Sequence, residues 1–206
     1  MNFIKLRKLE ESIQTLRKIK ETLPDAILAG GAIRDVYHNK KVKDYDLFVS
    51  SNTTLDVYKD SFWEKQFSLG NELHTGDIIT NLSDTEDGSC EGANYVDTVW
   101  EVKKNGSHYN VIVLNMNPTE YINRFFDIGI CKAYSDGERI RLTSDFMRDS
   151  RNHLLTIVSE SMSQPDFNRM MDRHVEAVKQ KYPGYKLVIP PRFAEYYKEY
   201  NLTLKI

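Results

Sequence analysis

Two aspartates, Asp44 and Asp46, stand one residue apart in an otherwise apolar run, Asp44-Tyr45-Asp46-Leu47-Phe48-Val49. The run reads as a β-strand, in which alternate side chains share a face. The two carboxylates therefore point one way while Tyr45 and Leu47 point the other. Neighbouring carboxylates repel each other, and a divalent cation is what holds both in the ionised form. Upstream lies Ala26-Ile27-Leu28-Ala29-Gly30-Gly31-Ala32-Ile33-Arg34-Asp35, read as a buried strand, a Gly-Gly turn and a short helix. Gly30 and Gly31 clear side chains from the bend and let a ligand approach the main-chain N–H groups. The helix after them turns its positive end toward an anion. Arg34 adds a cation for a phosphate, with Asp35 orienting it; the plain alternative is a surface ion pair worth about 0–1 kcal/mol. An anion cradle beside a metal-binding carboxylate pair is the equipment of phosphoryl or nucleotidyl transfer.

The ordered set Gly30-Gly31, Arg34-Asp35 and Asp44-Tyr45-Asp46 resembles the signature of the DNA polymerase beta-type nucleotidyltransferase superfamily. Within it, the set is most similar to the head domain of CCA-adding enzymes and bacterial poly(A) polymerases. The resemblance implies an α/β (α+β) fold, a mixed sheet flanked by helices, with a C-terminal helical elaboration. It implies an Mg²⁺-dependent enzyme that moves a nucleoside monophosphate from an NTP to a hydroxyl on an RNA 3′ end, a protein or a small molecule. Two Mg²⁺ ions, with Mn²⁺ as a substitute, would sit about 3.5–4 Å apart on Asp44 and Asp46. Gly30, Gly31 and Arg34 would hold the nucleotide.

The superfamily adds a third carboxylate from a neighbouring strand. The matching strand here, Tyr109-Asn110-Val111-Ile112-Val113, carries Asn110 at that position. An amide brings no charge and takes no proton as a base, so Asn110 is read as a nucleotide-binding residue. Asp127 is ranked first as the substitute carboxylate, with Asp97 and Glu101 behind it. Small phage-type members resemble this chain in the amide and in Phe126-Asp127. They also resemble it, loosely, in Arg173…Lys181-Tyr182…Gly184-Tyr185. The departure at Asn110 supports a second reading: a catalytically inactive module of the same fold, binding a nucleotide, RNA or a protein. A toxin that modifies tRNA ends is a third and weaker reading on the same fold.

The elements that must position these residues follow from periodicity and turn chemistry. Leu6, Leu9, Ile13, Leu16, Ile19 and Leu23 recur at helical spacing over Ile4–Leu23. A helix is expected from Thr53 or Thr54 to about Phe67, its inner face formed by Leu55, Tyr58, Phe62 and Trp63. Residues 70–92 read as a long polar loop, with a short strand at Ile78-Ile79. Val96–Lys103 and Tyr109–Asn115 form a hairpin across Asn105-Gly106. A helix from Pro118 to Phe126 precedes a strand over Ile128–Tyr134, a turn at Ser135–Glu138 and a further strand at Arg139–Leu142. Thr143 or Ser144 caps a helix to Asn152, and His153–Val158 is strand-like. The last long helix, Pro165–Tyr182, turns Phe167, Met170, Met171, His174, Val175 and Val178 to one side. A tyrosine-rich helix closes the chain. The whole reads as one domain, 1–206, with a catalytic core over 1–142 and a helical extension over 143–206.

Composition narrows the class further. A net charge of −2 gives no overall basic field, so any RNA or tRNA acceptor must meet a local patch. Cys90 and Cys131 lack metal-ligand spacing and read as reduced thiols of a cytoplasmic protein, bacterial or in a phage-infected host. No apolar run is long enough to span a membrane. The five histidines are scattered without ligand spacing, and there is no Walker A motif. With 206 residues, little room remains for the helical body that grips a whole tRNA, so a smaller or locally recognised acceptor is expected.

Overall fold

The computed structural model describes residues 3–67, 78–81, 94–104, 106–160 and 162–203. Helix α1 (Phe3–Lys20) leads into β1 (Ile27–Ala29), α2 (Gly31–Tyr37) and β2 (Tyr45–Ser50). After α3 (Asp60–Gln66) come β3 (Ile78–Asn81), the hairpin β4 (Val96–Lys104) and β5 (Ser107–Leu114), and α4 (Pro118–Phe125). Strands β6 (Ala133–Ser135) and β7 (Ile140–Leu142) complete a seven-stranded mixed sheet of order β3-β4-β5-β2-β1-β6-β7. In it β2 and β5 run parallel and the other neighbours antiparallel. Then α5 (Ser144–Asn152), β8 (Leu154–Thr156), α6 (Gln164–Arg169), α7 (Glu176–Lys181), β9 (Lys186–Val188) and α8 (Ala194–Thr203) follow, with β8 and β9 paired in parallel. The fold is the expected nucleotidyltransferase-type mixed α/β arrangement.

Side-chain alternation divides the sheet. Tyr45, Leu47 and Val49 of β2 and Tyr109, Val111 and Val113 of β5 pack against Leu16, Ile19, Leu23 and Trp63 from α1, the loop after it and α3. The opposite face buries Ile27, Ala29, Phe48 and Leu114 beneath Ile122 of α4, with Phe126 packed alongside. Asp46 shares that second face with Phe48, two residues on. The covered apolar strip thus gives way to polar side chains at the start of β2. A separate cluster, centred on Leu155, Ile157, Phe167, Met170, Val175 and Phe193, organises the C-terminal elements.

Several expected elements differ in detail. Thr54 caps a single tight turn, Leu55–Tyr58, and α3 begins anew at Asp60. The break exposes Leu55 (76%) and Tyr58, while Val57, Trp63 and Phe67 point inward. Tyr58 instead donates its hydroxyl proton to Asp97 at 2.8 Å. The expected strand over Ile128–Tyr134 survives only as β6, because Gly129–Cys131 forms a tight turn. A Cβ at Gly129 would lie 2.5 Å from an oxygen of Asp149. That fully buried aspartate accepts both the N–H and the hydroxyl of Thr156, at 2.9 and 2.8 Å. The last long helix carries a π turn over Met170–Val175. The wider turn rotates His174 off the apolar stripe into solvent. Ile78–Asn81 is the short strand expected there, whereas the rest of the 70–92 loop, with Cys90, lies outside the described residues.

A buried charge cluster fastens the C-terminal helices to the sheet. Asp35 of α2 is 2% exposed and accepts from Arg34 Nε (2.8 Å), Tyr182 OH (3.0 Å) and Lys181 Nζ. Burial, and then the Asp35 charge, pushes the Tyr182 phenol well above its usual range, so it stays a donor. Removing one partner of such a buried group leaves the others uncompensated. Asp35→Ala should therefore lower unfolding free energy by about 3–5 kcal/mol. Tyr182→Phe, which removes one hydrogen bond, should cost about 0.5–1.5 kcal/mol. Urea denaturation of the two variants checks both, and equal midpoints for Asp35→Ala and wild type would rule out a stabilising role for the cluster.

Candidate active site at the sheet edge

The site is assembled where β1 ends and β2 begins. Ala29 pairs with Asp46 across the antiparallel β1–β2 ladder, so the Gly30-Gly31 turn leaves β1 beside the aspartates. Gly30 adopts φ +78°, a conformation suited to glycine. A Cβ there would sit 3.4 Å from the Phe126 ring and 3.6 Å from Asp46 Oδ2. The glycine thus keeps open the space into which that oxygen faces. A Cβ on Gly31 would meet Arg34 Nη2 at 3.4 Å. The Arg34 guanidinium accordingly lies against the turn, held by Asp35 through Nε and by Cys131 Sγ through Nη1 at 3.0 Å. Arg34-Asp35 is a buried pair, not the exposed ion pair of the plain alternative.

Asp46 lies next to Asn110 in the parallel β2–β5 register, and Asn110 Nδ2 donates to Asp46 Oδ1 at 2.8 Å. Burial pushes the Asp46 carboxyl up to about 6; the Asn110 hydrogen bond opposes that rise and the charge of Asp44 adds to it. Asp44 stands one residue ahead of β2, part-exposed, with Lys43 Nζ 3.6 Å away.

The same lateral row continues across the sheet as Ala29–Asp46–Asn110–Glu101–Thr80. Residues opposite each other in a ladder share a face, so Glu101 shares the face of Asp46 and Asn110. Its carboxylate accepts from His108 Nε2 at 2.6 Å and faces Lys103 Nζ at 3.4 Å. Partial burial raises the Glu101 carboxyl, but the bonds from His108 and Lys103 outweigh it and hold the group below its usual value.

Gly30, Gly31, Arg34, Asp44, Asp46 and Asn110 are therefore gathered at one edge. Asp127 is placed differently. Its carboxylate faces His174 Nδ1 at 3.4 Å, and its carbonyl oxygen accepts from Val158 N–H at 2.7 Å. Among the described residues no three His, Cys, Asp or Glu side chains are grouped to hold a metal ion, so Asp127 does not complete a trio with Asp44 and Asp46. Its neighbour Phe126 supplies a wall of the site instead. Asp97, too, is engaged elsewhere, by Ser51 and Tyr58 hydroxyls at 2.8 Å each. Sequence reasoning missed the Glu101–His108 pair because it treated the histidines singly. The signal was available in the hairpin: a two-residue loop after Lys104 sets Lys103 opposite His108 and Glu101 opposite Asn110.

Comparison with known structures bears on the fold. A structure described as a tRNA-processing enzyme in its apo form superposes with a TM-score of 0.56 at 15% identity over 88% of this chain. The CCA-adding enzyme of Bacillus stearothermophilus in complex with CTP gives 0.56 at 18% over 95%. That of Thermotoga maritima complexed with tRNA gives 0.58 at 12% over 97%. The chain covers 43%, 43% and 42% of these proteins, less than half of each. At such identities the likeness establishes the nucleotidyltransferase fold. No curated protein matches the sequence. Residues 4–153 match the model of the Gabija anti-defense 2 family, Gad2, and the chain belongs to that family.

Proposed function

We propose that the protein transfers a nucleoside monophosphate from an NTP to a hydroxyl acceptor in the presence of Mg²⁺, and that this chemistry serves the anti-defense role its family is named for. The observation that carries the reading is the juxtaposition of Asp44 and Asp46 with the open Gly30-Gly31 turn at one edge of the sheet. The donor set suits Mg²⁺, which binds hard oxygens and takes one or two carboxylates together with substrate phosphates. Asp46 also fits in its energetics: a carboxyl pushed up to about 6 by burial and by Asp44 is relieved by a cation beside it. Asp44 and Asp46 would hold the metal, which neutralises charge on the reacting phosphate and the leaving pyrophosphate.

The chain's own groups supply the rest. The Gly30-Gly31 turn takes the triphosphate, chiefly through Gly31 because the Gly30 N–H is bonded to the Ala133 carbonyl, and Arg34, fixed by Asp35, sets a positive charge against the same turn. Asn110 orients Asp46 through its amide. Two proteins of this fold are described with CTP and with tRNA, which supports an NTP donor and an RNA acceptor. One observation favours a second reading. Asn110 stands where a third carboxylate would complete a metal trio, and a fold of this kind without turnover would be a module binding a nucleotide, RNA or protein. Incubating the protein with α-³²P-labelled NTPs and total RNA and protein from bacterial cells separates the two. Mg²⁺-dependent label transfer is expected; NTP binding with no transfer to any acceptor would favour the module.

Two variants test the carboxylates. Asp44→Asn combined with Asp46→Asn should weaken Mg²⁺-dependent NTP binding by about 10–100-fold, or 1.4–2.8 kcal/mol, in a chain that still folds. Isothermal titration with and without Mg²⁺ reads this, and unchanged metal-dependent binding would place the cation elsewhere. Without divalent cations, Asp46→Asn alone should stabilise the protein at pH 7.5 by roughly 1–3 kcal/mol. The sign follows from linkage: a folded carboxyl raised above its unfolded value costs stability when ionised. The advantage of Asn should therefore shrink as pH falls from about 6 toward 4 and be gone once the pH lies below the unfolded value of 3.8, where Asp46 is neutral in both states. Thermal melts across that range provide the measurement.

A further inference from the structure

The nucleotidyl-transfer reading leaves one proton without a destination. An attacking hydroxyl must lose it, and Asn110, on the strand where the superfamily places its third acid, does not take it. The sheet geometry points to what does. Asp44 and Asp46 lie at the centre of the edge, with the Gly30-Gly31 turn on the β1 side of them. A triphosphate on that turn leaves the opposite flank, formed by β5 and β4, to the acceptor. On this flank His108 and Asn110 share one face of β5, and Glu101 and Lys103 share the same face of β4. His108 precedes Tyr109 just as Asp44 precedes Tyr45, and those two tyrosines are paired in register. Neighbouring strands are about 4.8 Å apart, so His108 stands one strand from Asp44 at the mouth of the site.

The hydrogen bond fixes the imidazole's chemistry. An ionised carboxylate only accepts, so Nε2 carries the proton shared with Glu101 at 2.6 Å. In the neutral form of the ring, Nδ1 is then the acceptor. Both side chains are about three-quarters buried, which limits their motion while leaving the ring reachable from solvent. The charged groups around it are Glu101 and Lys103 on β4 and, across the β2–β5 pairing, Asp46 on β2 and Asp44 just ahead of it. No other described histidine lies on this face.

We infer that His108, oriented by Glu101, is the proton acceptor for the incoming hydroxyl, in place of the carboxylate that Asn110 does not provide. The inference rests on the nucleotidyl-transfer reading. In the step, the acceptor oxygen bonds to the α-phosphorus as its proton passes to His108 Nδ1. The bond from the α-phosphorus to the bridging oxygen breaks, and pyrophosphate leaves with that electron pair. His108 is the catalytic residue and Glu101 a positioning residue that holds the tautomer.

The test is label transfer from α-³²P-labelled NTPs to the same RNA and protein pool, with NTP affinity measured in parallel. His108→Ala should lower the transfer rate about 10²–10⁴-fold with NTP binding unchanged. Added imidazole should restore part of the lost rate in that variant and none in Asp44→Asn plus Asp46→Asn. Glu101→Gln should lower the rate less than His108→Ala and also leave NTP binding unchanged, which covers the case in which His108→Ala fails to fold. Transfer by either folded variant at the wild-type rate would overturn the dyad and leave the transfer reading standing. A wild-type protein that binds NTP yet labels nothing would overturn both.

Discussion

The parallel pairing of β2 with β5 is the constraint on which the rest of the site depends. It sets Tyr45 against Tyr109 on the covered face and Asp46 against Asn110 on the open one. The first pair is locked by packing: both rings are buried, 5.4 Å apart, and sit in the core beneath α1. A slip of β2 by one residue would turn Tyr45 outward and drive a carboxylate inward. The hydrophobic core therefore fixes where the amide meets Asp46, and through the β4–β5 hairpin it fixes Glu101 and His108 as well. The geometry of the candidate site is thus inherited from core packing.

Much of this was legible in the residues, and the reason differs from place to place. The alternation Asp-x-Asp in an apolar strand gave the face of each carboxylate, because a period of two leaves no other choice. The glycine turn, the hairpin and the cap at Thr143 follow from local turn and cap chemistry of the same kind. The hairpin even encoded the partner of Asn110 on β4, since a two-residue loop sets the pairs above it as far as the register shift between Val96 and Thr98. What was not legible depended on contacts far apart in sequence. The π turn that turns His174 outward leaves the apolar periodicity nearly intact. The tight turn at Gly129 exists because Asp149, twenty residues later, occupies the space of a side chain. Asp127 follows a helix in the expected place, yet its direction was decided by the C-terminal helices it faces.

Those helices also reach the site. Lys181 and Tyr182 hold Asp35, Asp35 holds Arg34 Nε, and the guanidinium is set against Gly31. Tyr182 further lies under the Arg34 cation, 5.4 Å from ring centroid to guanidinium carbon. Arginine loses little further freedom once its planar fork is fixed at two nitrogens. The Lys181-Tyr182 segment therefore acts as more than packing: it makes the position of the Arg34 cation at the glycine turn a property of the C-terminal fold.

The electrostatics explain why an amide suits position 110. Asp46 is already pushed up to about 6 by its burial and by the charge of Asp44. A third carboxylate beside it would add a second like charge at closer range than Asp44 and raise it further. The Asn110 amide does the opposite, since its N–H stabilises the ionised form of Asp46. An amide at this position thus keeps Asp46, the carboxylate proposed to hold the metal, ionisable near neutral pH and gives up a proton acceptor. Glu101 carries negative charge on the β4 flank one strand farther from Asp46, where Lys103 faces it and His108 donates to it. The proton-accepting lone pair then belongs to a neutral imidazole, which burdens Asp46 with no additional charge.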